Sequence, residues 1–330
     1  MSSQRTPDEL LAAARQLADD VLFPNALEAD AAGGVPEMQL SCLADAGFYG
    51  ISTYCDAPTI AKIIEIIASG CLTTTFVWTQ HLGATAAAFF SDGPVKAELG
   101  DDLASGSKRA GVAFAHMLRP GTPMTTAEPT ETGWTFEGSA PWVTGWGHID
   151  VVHAAARHGD DIVWALMDAV DSETLQSDVV PFAVVDSTQT KVLTYRAHHV
   201  PNERITKVEN YDDWRARYRL GLRTNGSLAL GVANRCCRLL DDSALSGQLN
   251  LLRDRLNLIE PADYDAMSQA RADASLFAVR AATALVAKTG GRAVMMSEHA
   301  QRLMREAMFV LVQGQTPSIK SEMMASLTSS

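Results

Sequence analysis

The sequence predicts an α+β protein in which a β-domain lies between two helical domains. Apolar residues recur every three or four positions within residues 1–107, which is the periodicity of amphipathic helices. Residues 108–208 hold short segments rich in β-branched and aromatic residues, separated by Gly, Asp and Pro, which is typical of an antiparallel β-domain. The helical periodicity returns in residues 209–330. We therefore expect an N-terminal helical domain, a middle antiparallel β-domain and a C-terminal helical bundle.

Four helices are predicted in the N-terminal domain. The first begins near Asp8 and ends before Pro24, because proline removes a backbone donor and restricts the residue that precedes it. The others are expected at about 36–46, 60–68 and 76–90.

In the C-terminal domain we predict helices over about 214–240, 263–289 and 298–312. The second of these carries a long apolar stripe, and the glycine pair at 290–291 ends it in the manner of a helix C-cap. The third ends at Gly314, and Pro317 follows shortly afterwards as a stop signal.

Composition excludes several classes of protein. The chain of 330 residues has a formal net charge of -12, which argues against non-specific nucleic-acid binding. The most apolar early stretch, 59–67, is too short and too charged to span a bilayer, and no secretory signal is visible. The five cysteines are odd in number and lack metal-ligand spacing. We expect a cytoplasmic protein without a metal site or membrane association.

Three segments are candidates for a ligand site, and each also has a structural explanation. Residues 142–146 place two tryptophans around a Thr-Gly pair, where the rings can stack on a flat aromatic ligand or fill the core. The glycines at 290–291 allow a phosphate to approach the backbone, but they are also a common helix stop. The polar segment 313–316 follows an apolar helix, as both helix caps and the lips of buried sites do. Dinucleotide, P-loop and zinc-protease motifs are missing.

In their order along the chain, these segments resemble the acyl-CoA dehydrogenase superfamily. Residues 43–50 are similar to its early helix-to-turn signature, and 142–144 (Trp-Val-Thr) to the Trp-Ile-Thr/Ser that packs on the flavin. The glycines at 290–291 are similar to the Phe-Gly-Gly that meets the FAD of a neighbouring subunit. Residues 303–307 (Leu-Met-Arg-Glu-Ala) are similar to the late Leu-Met-Arg-Asp-Ala.

The resemblance implies a fold of three domains that encloses FAD and an acyl-CoA thioester, in an oligomer that completes the FAD site across subunits. It also assigns cofactor contacts to Leu118, Trp142, Val143, Thr144, Gly290, Gly291, Gly314 and Thr316.

The chain departs from the family pattern where the chemistry takes place. Gln313 occupies the position of the glutamate that abstracts the α-proton, and an amide cannot act as a general base near neutral pH. The alternative base position near Gly221 and Leu222 also lacks a carboxylate. Only a remnant of the family's substrate and cofactor loop remains at 118–121, and the Arg-x-x-Phe-Gly element that holds the adenosine end of FAD is absent.

Three functions remain open at this point. The chain could be a subunit of an acyl-CoA dehydrogenase of lipid degradation, forming a homo- or hetero-oligomer with another acyl-CoA dehydrogenase-like chain that supplies the base. It could be a non-catalytic scaffold or binding protein of the same fold. It could also be a flavin monooxygenase of that fold, because such an enzyme uses flavin and oxygen and needs no base for an α-proton.

Overall fold

The computed structural model describes residues 5–119 and 121–328. Before the sheet it contains six α-helices: α1 Pro7–Gln16, α2 Ala26–Ala31, α3 Glu37–Asp45, α4 Ala57–Gly70, α5 Leu72–Phe89 and α6 Pro94–Ser105. A π-helical turn at Leu17–Leu22 continues α1, so the helical path ends just before Pro24 as predicted. Two of these helices were not predicted: α2, which has only six residues, and α6, which begins at Pro94. Proline is favoured at the first position of a helix, so a proline can mark the start of a helix as well as its end.

Eight strands follow: β1 Ala110–Ala113, β2 Thr125–Pro129, β3 Gly133–Val143, β4 Val151–His158, β5 Asp161–Asp168, β6 Leu175–Val179, β7 Lys191–Pro201 and β8 Ile205–Asn210. They form one sheet in the order β6-β7-β3-β2-β4-β5-β8, and β1 pairs with β4. Most neighbours are antiparallel as predicted, but β4 runs parallel to β1 and to β2. Parallel pairing needs a long connection, and the hairpin of β2 and β3 lies between β1 and β4 in the sequence.

After the sheet come six more helices: α7 Tyr211–Leu220, α8 Leu222–Leu240, α9 Ser243–Leu258, α10 Tyr264–Thr289, α11 His299–Val312 and α12 Pro317–Thr328. The predicted helix at 214–240 is divided at Gly221, and the sequence analysis missed α9 and α12. Pro317, which we expected to follow the last helix, instead stands at the first position of α12. Among the described residues, no helix combines the length and apolar character that a membrane crossing requires.

The helices that precede the sheet in the chain and those that follow it share one apolar core, whereas the sheet has a core of its own. Helices α4 and α8 approach most closely at Gly231, where an added Cβ would lie 2.5 Å from the Ala68 Cβ and 2.6 Å from the Glu65 carbonyl oxygen. The carboxylate of Glu65 is fully buried in this contact and pairs with Arg253 of α9 at 2.6 Å. The glycine therefore sets the spacing between the first helices and those that follow the sheet.

We expect Gly231→Ala to lower the free energy of unfolding by about 1–3 kcal/mol, because the methyl group forces two packed helices apart. Gly83→Ala is the matched control, since Gly83 lies in helix α5 with nothing within 4 Å of an added Cβ. That substitution should stabilise the protein by about 1 kcal/mol through helix propensity. Denaturant titration of both variants measures the difference, and equal effects of the two substitutions would contradict the packing argument.

Candidate active site

Trp142 stands on a β-bulge at the end of β3. In the register with β7, Ala140 pairs with Leu193 and Val143 pairs with Lys191, so β3 has one residue more than its partner between these points. A bulge redirects a side chain, and Trp142 has a positive φ of 68° that a bulky residue rarely adopts. Its ring is 49% exposed and contacts the ring of Phe182. The strand therefore presents a large aromatic surface to solvent.

The two residues after Trp142 are held inside the protein. Val143 is fully buried in the core of the sheet. Thr144 is 2% exposed, and its hydroxyl lies 3.0 Å from the hydroxyl of Thr190, which in turn lies 2.9 Å from that of Thr188. The Thr144–Thr190 contact ties the end of β3 to the segment before β7. The Thr144 hydroxyl is therefore engaged within the chain.

The segment after β1 packs against α7. Leu118 ends a short 3₁₀-helix and lies half-buried on an aromatic cluster that includes Trp214 and Tyr218. The Tyr211 hydroxyl donates to the Met117 carbonyl oxygen at 2.8 Å, which fixes this segment to the start of α7. Of the loop at 118–121 that the resemblance singles out, Pro120 lies outside the described residues.

His116 lies in the same 3₁₀-helix, two residues before Leu118. Its Nε2 lies 3.2 Å from the Ala155 carbonyl oxygen, and its buried Nδ1 has no hydrogen-bond partner among the described residues. Burial lowers the pKa of His116 to about 4, so the ring is neutral near pH 7. A neutral histidine bonded to a backbone carbonyl is a structural group.

Gln313 is the C-cap of α11, and it meets two other helices there. Its N–H donates to the Phe309 carbonyl oxygen at 3.0 Å, and its own carbonyl oxygen accepts from Nη2 of Arg271 at 3.3 Å. Gly314 has a φ of 59°, and an added Cβ there would lie 3.3 Å from the amide nitrogen of Asn225. The end of α11 thus touches α8 and α10.

Thr316 follows this corner and begins the last helix. Its hydroxyl accepts from the Ile319 N–H at 3.3 Å, which is the bond of an N-terminal cap. A capping role accounts for this hydroxyl without a ligand.

Sequence reasoning missed Tyr218, Asn225 and Arg271 at this corner. Burial raises the pKa of the Tyr218 phenol, while Arg271 and a side-chain hydrogen bond with Asn225 act in the opposite direction. These contacts connect the aromatic cluster under Leu118 to the end of α11. The signal for Arg271 was present, because it lies four residues after Met267 and three before Ala274 on the apolar stripe of α10.

Gly290 and Gly291 lie at the other end of α10. At about 1.5 Å per residue, Gly290 is about 28 Å along the helix from Arg271. Neither glycine would bring an added Cβ within 4 Å of another atom, so their backbone is open. Within one chain, they and Gln313 cannot contact the same small chemical group.

No model of a known protein family matches the sequence, and no curated protein matches it in sequence either. The fold, in contrast, matches solved structures over its whole length. Butyryl-CoA dehydrogenase from Megasphaera elsdenii superimposes with a TM-score of 0.81 at 16% identity, covering 100% of both chains. This chain has the acyl-CoA dehydrogenase fold.

Two further structures support that assignment of the fold. A glutaryl-CoA dehydrogenase in complex with glutaryl-CoA has a TM-score of 0.81 at 14% identity, covering 99% of this chain and 96% of that one. Glutaryl-CoA dehydrogenase from Mycobacterium smegmatis in complex with FADH2 has a TM-score of 0.80 at 14% identity, covering 98% and 95%. The predicted α+β architecture is therefore confirmed, and at these identities the chemistry has to be argued from the residues of the site.

We expect Trp142→Gly to leave the free energy of unfolding unchanged within about 1 kcal/mol, because relief of the positive φ offsets the lost contact with Phe182. Trp146, four residues later, is buried in the core of the sheet, so Trp146→Ala should cost about 3–5 kcal/mol. Thermal unfolding of both variants measures the contrast. A loss at Trp142 as large as that at Trp146 would show that the exposed ring is needed for folding.

Proposed function

We propose that the chain is a subunit of an FAD-dependent acyl-CoA dehydrogenase, and that it does not supply the catalytic base of its own site. The observation that carries the proposal is Gln313 at the end of α11. An acyl-CoA thioester loses its α-proton to a base in this reaction, and an amide has no lone pair that titrates near pH 7. Among the described residues, no carboxylate pairs with the neighbouring Arg271.

Glu209 is not a free carboxylate that could act as a substitute base. Glu209 pairs with Lys207 at 2.7 Å and also with Arg217 on α7. Gly221 and Leu222 stand at the start of α8, at the position where the resemblance places an alternative base. Neither residue has a titratable side chain. The base therefore comes from another chain in this proposal.

Part of a flavin site is present in the chain. Trp142 would stack on the isoalloxazine ring, which supplies the acceptor for the β-hydride when FAD is bound. The open backbone at Gly290 and Gly291 would meet the cofactor of a neighbouring subunit. Thr144 is less suited to bind the flavin, because its hydroxyl is engaged with Thr190. These residues support a proposal in which FAD is bound weakly or is shared with a neighbouring subunit.

Exposed apolar side chains in the helices after the sheet support an oligomer. Val294 and Leu258 are each 81% exposed, and Leu251 is 71% exposed. Water contact with so much apolar surface is unfavourable, and a partner chain would bury it. All five cysteines are free, which agrees with a location in the cytoplasm.

A non-catalytic partner of the same fold is the second candidate. The observation that favours it is the closed network of Thr144, Thr188 and Thr190, which satisfies these hydroxyls without a cofactor. Colour separates the two candidates, because a flavoprotein absorbs visible light.

The absorption spectrum of the purified chain, alone and co-expressed with an acyl-CoA dehydrogenase homologue that keeps the glutamate, is the direct test. We expect little flavin in the chain alone and a flavin band in the complex that Trp142→Ala reduces. Trp78→Phe is not a suitable control, since Trp78 is buried; Phe90→Ala, at a ring 62% exposed on another element, is the matched one. If Trp142→Ala leaves the flavin content of the complex unchanged, the proposal loses its basis.

We expect Gln313→Glu to raise acyl-CoA dehydrogenase activity of the flavin-loaded protein at least about 100-fold, because a positioned general base contributes about 10²–10⁴. Gln315→Glu adds the same charge two residues away at an exposed position and should have no effect. Reduction of an artificial electron acceptor with butyryl-CoA as substrate measures both. Flavin-loaded Gln313→Glu without added activity would show that the end of α11 is not the position of the base.

A further inference from the structure

Arg271 is a buried cation without an anion. It is 1% exposed on α10, and only two other arginines of the described residues are buried, Arg235 at 4% and Arg302 at 1% exposure. Arg235 pairs with Asp19, and Arg302 pairs with Glu306. Arg271 has no carboxylate partner among the described residues, although burial of an unpaired charge is strongly unfavourable.

The end of α11 compensates this charge only in part. The negative end of the α11 dipole and the Gln313 carbonyl oxygen both face Arg271. If these partners satisfied the guanidinium, Arg271 would be no more than a cap of α11. However, that carbonyl receives one bond of 3.3 Å, whereas a guanidinium has five N–H donors. Nε of Arg271 is buried and has no hydrogen-bond partner among the described residues.

The neighbourhood of Arg271 is built to hold the side chain and is positively charged. Gly226 on α8 makes room for it, since an added Cβ would lie 3.1 Å from the Arg271 Cδ. Arg223, one turn earlier on α8, is close enough to lower the pKa of Arg271, and its own partners are the neutral side chains of Asn257 and Ser227. Neither Arg223 nor Arg271 forms an ion pair with a carboxylate among the described residues, although Glu65 acts on Arg223 from a greater distance.

We propose that Arg271 binds a free carboxylate of the substrate, so that the acyl group of the thioester is that of a dicarboxylic acid. Nε and Nη2 lie on one edge of the guanidinium, and that edge matches the two oxygens of a carboxylate. Gln313, Gly314 and Asn225 at the same corner are half-buried. The acyl part of this inference rests on the proposed function, whereas the carboxylate site itself does not.

The test compares two thioesters that differ only at the end of a four-carbon acyl group. Succinyl-CoA ends in a carboxylate and butyryl-CoA ends in a methyl group. We expect isothermal titration of the full chain, in its complex if that is the stable form, to give at least tenfold tighter binding of succinyl-CoA. Arg271→Met should abolish this preference, and Arg280→Met, on the exposed side of the same helix, should leave it intact. A preference that is absent from the unchanged chain, or that survives Arg271→Met, overturns the proposal.

Stability of the variants separates a binding role from a structural one. If Arg271 serves a ligand, Arg271→Met removes an unpaired buried charge and the melting temperature without ligand stays equal or rises. A marked fall would assign Arg271 to capping of α11 and overturn the proposal. Arg271→Lys keeps the charge but loses the planar fork, so it should fold and still lose most of the preference.

Free succinate and its neutral diamide, succinamide, distinguish failure of this inference from failure of the proposed function. Succinate binding that depends on Arg271, without binding of either thioester, would support the carboxylate site and remove the acyl-CoA assignment. Inorganic phosphate that binds more tightly than succinate would overturn the choice of a carboxylate. Absence of both succinyl-CoA and succinate binding would overturn the site itself.

Discussion

Arginines of the helices after the sheet fix those helices to the ones before it. Among these pairs are Arg235–Asp19, Arg253–Glu65 and Arg305–Asp30, and Arg238 also pairs with Asp19. The carboxylates of Glu65 and Asp30 are almost completely buried, so loss of an arginine would leave an uncompensated charge in the core. Because α8, α9 and α11 all contribute arginines to these pairs, the contacts orient the three helices relative to the helices before the sheet. The corner at Gln313 inherits its geometry from them.

Charge compensation distinguishes the scaffold from the candidate site. In the scaffold, each deeply buried arginine has a carboxylate partner, and the same holds for Arg302 with Glu306 inside α11. At the corner of α8, α10 and α11, Arg271 has a carbonyl oxygen and a neutral phenol instead. A protein can keep such an imbalance when a ligand completes it, and selection for stability alone would remove it.

The sequence predicted the order of helices, sheet and helices because hydrophobic period and turn residues act locally. It predicted the place of Gln313 and Trp142 through short motifs, but not their surroundings. The bulge at Trp142 depends on the register of β3 against β7, and the corner at Gln313 on contacts with residues about 40 and 90 positions away, which no local pattern contains. Arg271 stands on the apolar stripe of α10 in the sequence, but an arginine at such a position gains its significance only once its burial is known.

Helix α10 has 26 residues and is therefore about 39 Å long. The open glycines stand at one end, and the corner that holds Gln313 stands at the other. Sites so far apart and without shared neighbours change independently, since energetic effects of distant substitutions add. In the proposed subunit, the chemistry at one end of this helix can thus be lost while the glycines at the other end keep their contact with a neighbouring chain. The long helix would make the proposed loss of the base at Gln313 compatible with preservation of the whole architecture.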